Sequence, residues 1–149
     1  MLKIIRSLSD LDTEQLLEVC KEDKLDAEEL LSYLYDDFFR QKDAFYAVWA
    51  SQGQYKAALR IEPYADGLLL EALSTAPNER RKGYGCMLVA EVLQFLSTLP
   101  YKVVYSHISK KNVPSLELHK KCGFQLFSDS AKYIDGTVTQ KSCTMCYYL

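Results

Sequence analysis

No stretch of this sequence approaches the roughly 20 consecutive apolar residues that a membrane-spanning helix needs. The opening segment Met1-Leu2-Lys3-Ile4-Ile5-Arg6 turns charged too early for a secretory leader. A cytoplasmic protein with no membrane partner is expected. Also missing is an even, regularly spaced set of cysteines. The five present, Cys20, Cys86, Cys122, Cys143 and Cys146, are odd in number and scattered, which points to reduced thiols rather than a disulfide framework. Cys143-x-x-Cys146 has no second cysteine pair and no nearby histidine, so packing is the simpler role and no metal is expected. The formal net charge of −2 gives no excess of positive charge, which argues against a nucleic-acid partner. Internal repeats and low-complexity segments are absent too.

What is there is ordinary in bulk and specific in one place. With 149 residues, 48% apolar and 26% charged, the chain has the size and balance of one domain, residues 1–149, able to bury a core without disulfides. Leu2 to Leu8 reads as a strand. Asp12-Thr13-Glu14-Gln15 opens a helix running to about Asp23, and Ala27-Glu28-Glu29 opens a second with Leu30, Leu31, Leu34, Tyr35 and Phe38 at helical spacing. From Ala44 the period becomes two: Phe45–Ala50 and Tyr55–Ile61 pair as a hairpin. Pro63 and Asp66-Gly67 mark a turn before a third strand, Leu68–Thr75. A helix over Tyr84–Thr98 stops at Pro100, and Lys102–Ile108 follows as a strand, suggesting a parallel crossover. Asn112-Val113-Pro114-Ser115 opens a fourth helix closed by Cys122-Gly123. Strand-like runs then complete the order β-α-α-β-β-β-α-β-α-β-β, an α+β mixed sheet.

The specific place is Pro77-Asn78-Glu79-Arg80-Arg81-Lys82-Gly83-Tyr84-Gly85-Cys86, which joins a strand to a helix start with three cations and two glycines. Unpaired N–H groups and the helix dipole make such a start an anion site, and glycines let an anion approach the backbone. The P-loop spacing is absent. The third glycine of a dinucleotide fingerprint is absent as well, because residue 88 is leucine.

Arg80-x-x-Gly83-x-Gly85 resembles the acyl-coenzyme A loop of the GNAT N-acetyltransferase superfamily, [Gln/Arg]-x-x-Gly-x-[Gly/Ala]. Farther on, Asn112-x-x-Ser115-x-x-Leu118-His119-x-x-x-Gly123-Phe124 resembles the same family's Asn-x-x-[Ala/Ser]-x-x-[Leu/Phe]-Tyr-x-x-x-Gly-Phe. The resemblance covers essentially the whole chain. It implies the GNAT fold and acetyl-coenzyme A as acyl donor, lying in a gap between the fourth and fifth strands. The pantetheine arm would follow Leu73, Ser74 and Thr75. The pyrophosphate would rest on Arg80, Arg81, Lys82, Gly83, Tyr84, Gly85 and Cys86, with Asn112 and Ser115 alongside. Asn112 serves equally well as a helix cap.

Direct transfer of acetyl to a primary amine needs a neutral amine, a stabilised oxyanion and a proton for the leaving thiolate. Glu71, charged within an apolar strand, is the candidate general base; a surface charge or an arginine's partner is the competing reading. His119 stands where the family has a tyrosine acid, so it supplies the proton, bonds the sulfur, or is replaced by unassisted departure. His107 is expected to be structural. Cys86 and Cys122 have no adjacent base in sequence, which favours packing over a covalent route. By resemblance the first two helices and the final hairpin line the acceptor side, bringing Tyr33, Tyr35, Asp36, Asp37, Phe38, Phe39 and Tyr133; acid beside aromatic suits a cationic amine. The alternative is a module that binds acyl-coenzyme A without turnover. Relatives of this kind often pair as homodimers.

Overall fold

A computed structural model describes residues 1–23 and 26–149. In chain order it contains β1 (Leu2–Ile5), α1 (Thr13–Val19), α2 (Ala27–Asp36), β2 (Phe45–Ser51), β3 (Gln54–Tyr64), β4 (Gly67–Thr75), α3 (Tyr84–Leu96) and β5 (Val103–Ser109). Then follow α4 (Val113–Lys121), β6 (Gln125–Ser128), β7 (Ala131–Lys132), β8 (Val138–Thr139) and β9 (Ser142–Tyr148). Seven strands form one sheet in the order β1-β2-β3-β4-β5-β9-β6, while β7 and β8 pair separately as a small hairpin. Among the described residues only β4 and β5 run parallel, as the β4-α3-β5 crossover requires. The α+β class and the expected element order therefore hold, with the β7–β8 hairpin added.

The sheet separates two apolar layers. On one face Phe45, Ala47, Leu59, Ile61, Leu68 and Leu70 meet Leu88, Val89, Val92, Leu93 and Leu96 of α3. Burying each of those helix side chains contributes about 1.5–3 kcal/mol. On the other face Tyr46, Val48 and Ala58 meet Leu16 and Val19 of α1 and Leu30 and Leu34 of α2. Alternate residues of β2 thus serve opposite layers, which is why Phe45–Ala50 reads as an unbroken apolar run.

Asp12 and Asp26 cap α1 and α2 by accepting from the N–H groups of Gln15 and Glu29. Several expected boundaries shift. β1 ends at Ile5, α1 at Val19, and α3 at Leu96, while Phe38 falls in a short 3-10 turn after α2. β3 continues through Pro63, which pairs with Leu68. Its partner β2 ends opposite Ile61, so the donor that proline lacks faces no strand there.

The distortion that matters lies in β4. Ala58 pairs with Ser74 and Arg60 with Glu71, so Ala72 and Leu73 together oppose Leu59 alone. This is a β-bulge, and Ala72 carries its strain at φ 54°. Pairing between β4 and β5 consists of Leu68 opposite Val104 and Leu69 opposite Tyr105. Beyond Leu69 the two strands diverge, and a slot opens through the sheet.

Candidate active site

The slot has a volume of about 190 Å³ between Leu70–Leu73 of β4 and Ser106–Ser109 of β5, closed on the helical side by Asn112, Ser115 and His119. It shares Leu73, Asn112 and Ser115 with a cavity of about 480 Å³ that also touches Ser74, Thr75, Arg80 and Arg81. On the opposite face of the sheet it shares Glu71 and His107 with a cavity of about 550 Å³. Two chambers are therefore joined through a gap in the sheet.

The loop chamber is built by the glycine motif. Arg81 has φ 64° and Gly83 φ 84°, a left-handed step that turns the chain into α3. A Cβ on Gly85 would sit 3.2 Å from Leu118 Cδ1 and 3.4 Å from Thr75 Oγ1, so its absence lets the helix start approach both β4 and α4. Glu79 receives Lys56 Nζ and Lys82 Nζ, each at 2.9 Å. The bonds from Lys56 and Lys82 hold its carboxyl below the usual range. Arg80 pairs with Glu22 at 2.7 Å, Ser74 Oγ donates to Asp23 at 2.5 Å, and Arg81 makes no ion pair among the described residues. Asn112 caps α4 by accepting from Ser115 N–H at 3.2 Å, the plainer of its two expected roles. Tyr84 and Cys86 lie in the first turn of α3.

Cys86 and Cys122 sulfurs are 3.5 Å apart. Burial first, then Cys86, pushes the Cys122 thiol up to about 12, which leaves it a poor nucleophile at neutral pH.

Glu71 accepts from Arg60 Nε at 3.3 Å. Burial raises its pKa to about 7, Arg60 opposes the rise, and the nearby Glu62 adds to it. Of the two readings of Glu71, the contact with Arg60 meets the one that makes it an arginine's partner. Behind it, Glu62 accepts from the Tyr33 hydroxyl at 2.7 Å, while Arg60 lies over the rings of Tyr33, Phe38 and Tyr46.

His119 reaches the slot from α4 but is saturated. Its Nδ1 is 2.7 Å from the Ser115 carbonyl oxygen, an acceptor only, so Nδ1 carries the hydrogen in the neutral ring. Nε2 then accepts from the Ser106 hydroxyl at 3.1 Å. Burial lowers its pKa, which keeps it neutral at pH 7. In this arrangement Nε2 accepts from Ser106 and carries no hydrogen of its own.

The acceptor-side chamber differs from expectation. Tyr133 lines it, but Tyr35, Asp36 and Asp37 are exposed elsewhere, Phe38 is fully buried, and Tyr33 acts from behind through Glu62. Phe39 packs on Phe38. The lining instead includes Glu62, Tyr64, His107 and Asp135. Period-two reading of Arg60-Ile61-Glu62-Pro63-Tyr64 was the available signal, since alternate residues put Arg60, Glu62 and Tyr64 on Glu71's face.

The sequence pattern of the Acetyltransferase (GNAT) family matches residues 6–124. The chain belongs to that family and is an acyltransferase. Among solved structures it is similar to a ribosomal-protein-alanine N-acetyltransferase from Brucella melitensis, at 20% identity and TM-score 0.75 over 100% of this chain and 99% of that one. It is similar also to the ribosomal-protein-S18-alanine N-acetyltransferase of Escherichia coli, at 15% identity and TM-score 0.74 over 99% and 94%. A third is the PaiA N-acetyltransferase of Thermoplasma acidophilum in complex with coenzyme A, at 15% identity and TM-score 0.72 over 100% and 99%. At such identities the likeness is one of fold. No curated protein sequence matches the chain. No helix among the described residues is long and apolar enough to cross a membrane.

Proposed function

We propose that this chain transfers the acetyl group of acetyl-coenzyme A directly to a primary amine. The observation that carries the reading is the slot between β4 and β5, with the glycine-opened start of α3 at one end and Glu71 at the other. Beyond Leu69, β4 has no partner strand on its β5 side, so backbone groups of Leu73, Ser74 and Thr75 are available to a pantetheine arm. The pyrophosphate would take the N–H groups from Arg81 to Cys86, with Arg80 exchanging Glu22 for phosphate.

The bulge at Ala72–Leu73 turns backbone N–H groups out of the β3 ladder, where one can stabilise the oxyanion. Glu71, directly or through water, removes a proton from the acceptor ammonium. The amine nitrogen then attacks the thioester carbon, the C–S bond breaks, and sulfur leaves with the bonding pair. Ammonium and thioester become amide, free thiol and one proton. His119 is assigned the positioning of Ser106 and α4 rather than proton donation. Three carboxylates, Glu62, Glu71 and Asp135, line the acceptor chamber, which suits a cationic amine.

Calorimetric titration with acetyl-coenzyme A, followed by thiol release against a panel of amines, tests this reading. Binding with thiol release is the expected result, and absence of binding contradicts it. A second reading, an acyl-coenzyme A sensor without turnover, is favoured by the saturated state of His119 where the family pattern has tyrosine. Tight binding with no thiol release for any amine supports it.

A further inference from the structure

Where the slot meets the acceptor chamber, one polar atom stands alone. His107 Nε2 is buried and has no hydrogen-bond partner among the described residues. A buried imidazole nitrogen left unbonded carries an uncompensated desolvation cost, and such atoms in folded proteins usually have a reason. Its ring is held edge-on by Tyr64, with centroids 5.1 Å apart at 84°, and by Tyr133, at 5.5 Å and 88°. The Tyr64 hydroxyl donates to the Lys132 carbonyl and so pins the β7–β8 hairpin, which carries Tyr133, over the chamber. The imidazole is therefore oriented by its neighbours yet left without a partner.

Its polar surroundings are acidic and aromatic, with Leu69, Ile134 and Ser142 completing the chamber. Glu62 and Tyr64 face it from β3, Glu71 from β4, and Tyr133 and Asp135 from the β7–β8 turn, while Thr144 lies across from it on β9. No lysine or arginine lines this chamber among the described residues. Burial lowers the pKa of His107, which keeps a lone pair on the ring at neutral pH. His107 and Glu71 border both the slot and the chamber, the place where an acceptor nitrogen has to sit to reach a thioester in the slot.

We propose that His107 Nε2 and the Glu71 carboxylate form a two-point seat for the acceptor's nitrogen, selecting a primary alkylammonium with no anionic group beside it. This rests on the N-acetyltransferase reading above. One ammonium hydrogen goes to Nε2 and another to Glu71, which takes it; the lone pair so freed turns from Glu71 to the slot by rotation about the C–N bond. A hydroxyl or thiol acceptor has a single hydrogen and leaves one of the two points empty. An acceptor with a carboxylate near its amine meets Glu62 and Asp135.

The chain has only two histidines, so a long-range ¹H–¹⁵N spectrum contains two imidazoles, and His107→Phe assigns them by subtraction. With coenzyme A bound, the protein is titrated in turn with butylamine, 1,4-diaminobutane and alaninamide. The expected result is that at least one amine shifts the His107 ring nitrogens and leaves those of His119 in place. His107→Phe should weaken that amine by about tenfold or more, with coenzyme A affinity unchanged, and His107→Gln should recover part of the loss. Coenzyme A binding with His107 unmoved by every amine overturns this proposal alone, as does equal amine affinity in His107→Phe. Failure of coenzyme A to bind overturns the acetyltransferase reading, and this proposal with it.

Discussion

The two histidines of this chain lie twelve residues apart and on opposite sides of the slot, and they are held in opposite ways. His119, on the helical side, is 2% exposed, bonded at both ring nitrogens and set edge-on to Phe124. His107, on the acceptor side, is half-buried, gripped by two tyrosine rings and unbonded at Nε2. A satisfied buried group holds structure, whereas an oriented and unsatisfied one has capacity for a ligand. The same contrast runs through the carboxylates: Glu79 is clamped by two lysines beneath the loop, while Glu71 is raised to about 7 at the chamber. One side of the sheet is finished as architecture, and the other is left with open valence.

The largest expected effect breaks the acceptor side. Glu71→Gln keeps the shape but cannot take a proton, and thiol release should fall by about a hundredfold or more with coenzyme A affinity retained. In the wild type, kcat/KM should rise with pH through an apparent pKa near 7, because the base works ionised. Unchanged rates in Glu71→Gln remove it from the chemistry.

Next comes the loop. Gly85→Val puts a branched side chain against Leu118 and Thr75 and should cost about 1–3 kcal/mol of stability from overpacking. It should also weaken acetyl-coenzyme A by about tenfold or more, roughly 1.4 kcal/mol, as read by calorimetry. Wild-type affinity in this variant would mean that the donor does not lie on the start of α3.

His119→Phe sharpens the contrast from the other side. It leaves the Ser106 hydroxyl and Ser115 carbonyl short of a partner and should lower stability by about 1–3 kcal/mol. The pH profile of the rate should match the wild type. Loss of a basic limb would restore His119 as the acid.

The smallest effect is in the pH dependence of folding. Glu71 binds its proton more readily in the folded chain, so its contribution is fully present below its unfolded value of 4.5 and is lost as pH rises through about 7. His119, with its pKa lowered, does the opposite: its contribution is present above its unfolded value of 6.5 and lost on acidification through the folded value. Glu71→Gln should therefore flatten the loss of thermal stability between these two limits for Glu71, and a melting series across that range reads it.

Much of this architecture is legible in the chain. The glycine loop, the four helices and the order of elements up to the β4-α3-β5 crossover follow from periodicity, turn chemistry and two motifs in sequence, whereas the insertion of β9 between β5 and β6 does not. The acceptor chamber is not, because it depends on side chains that only the register brings together. Glu62, Glu71 and His107 come from three different strands, and they meet through the β3–β4 register and the parting of β5 from β4 beyond Leu69, next to the bulge at Ala72. A bulge at an alanine with positive φ leaves no mark in a sequence. The β7–β8 hairpin, which supplies Tyr133 and Asp135, leaves a weaker trace: its two-residue strands are too short for a period, and only the Asp135-Gly136 turn and the resemblance mark it.

A crystal structure with acetyl-coenzyme A bound tests the central claim most directly. The thioester should lie in the slot between Leu73 and Ser106, its pyrophosphate on the start of α3, and its carbonyl on the side of Glu71 and His107. A donor lying outside the slot, or a thioester facing away from Glu71 and His107, would contradict the account.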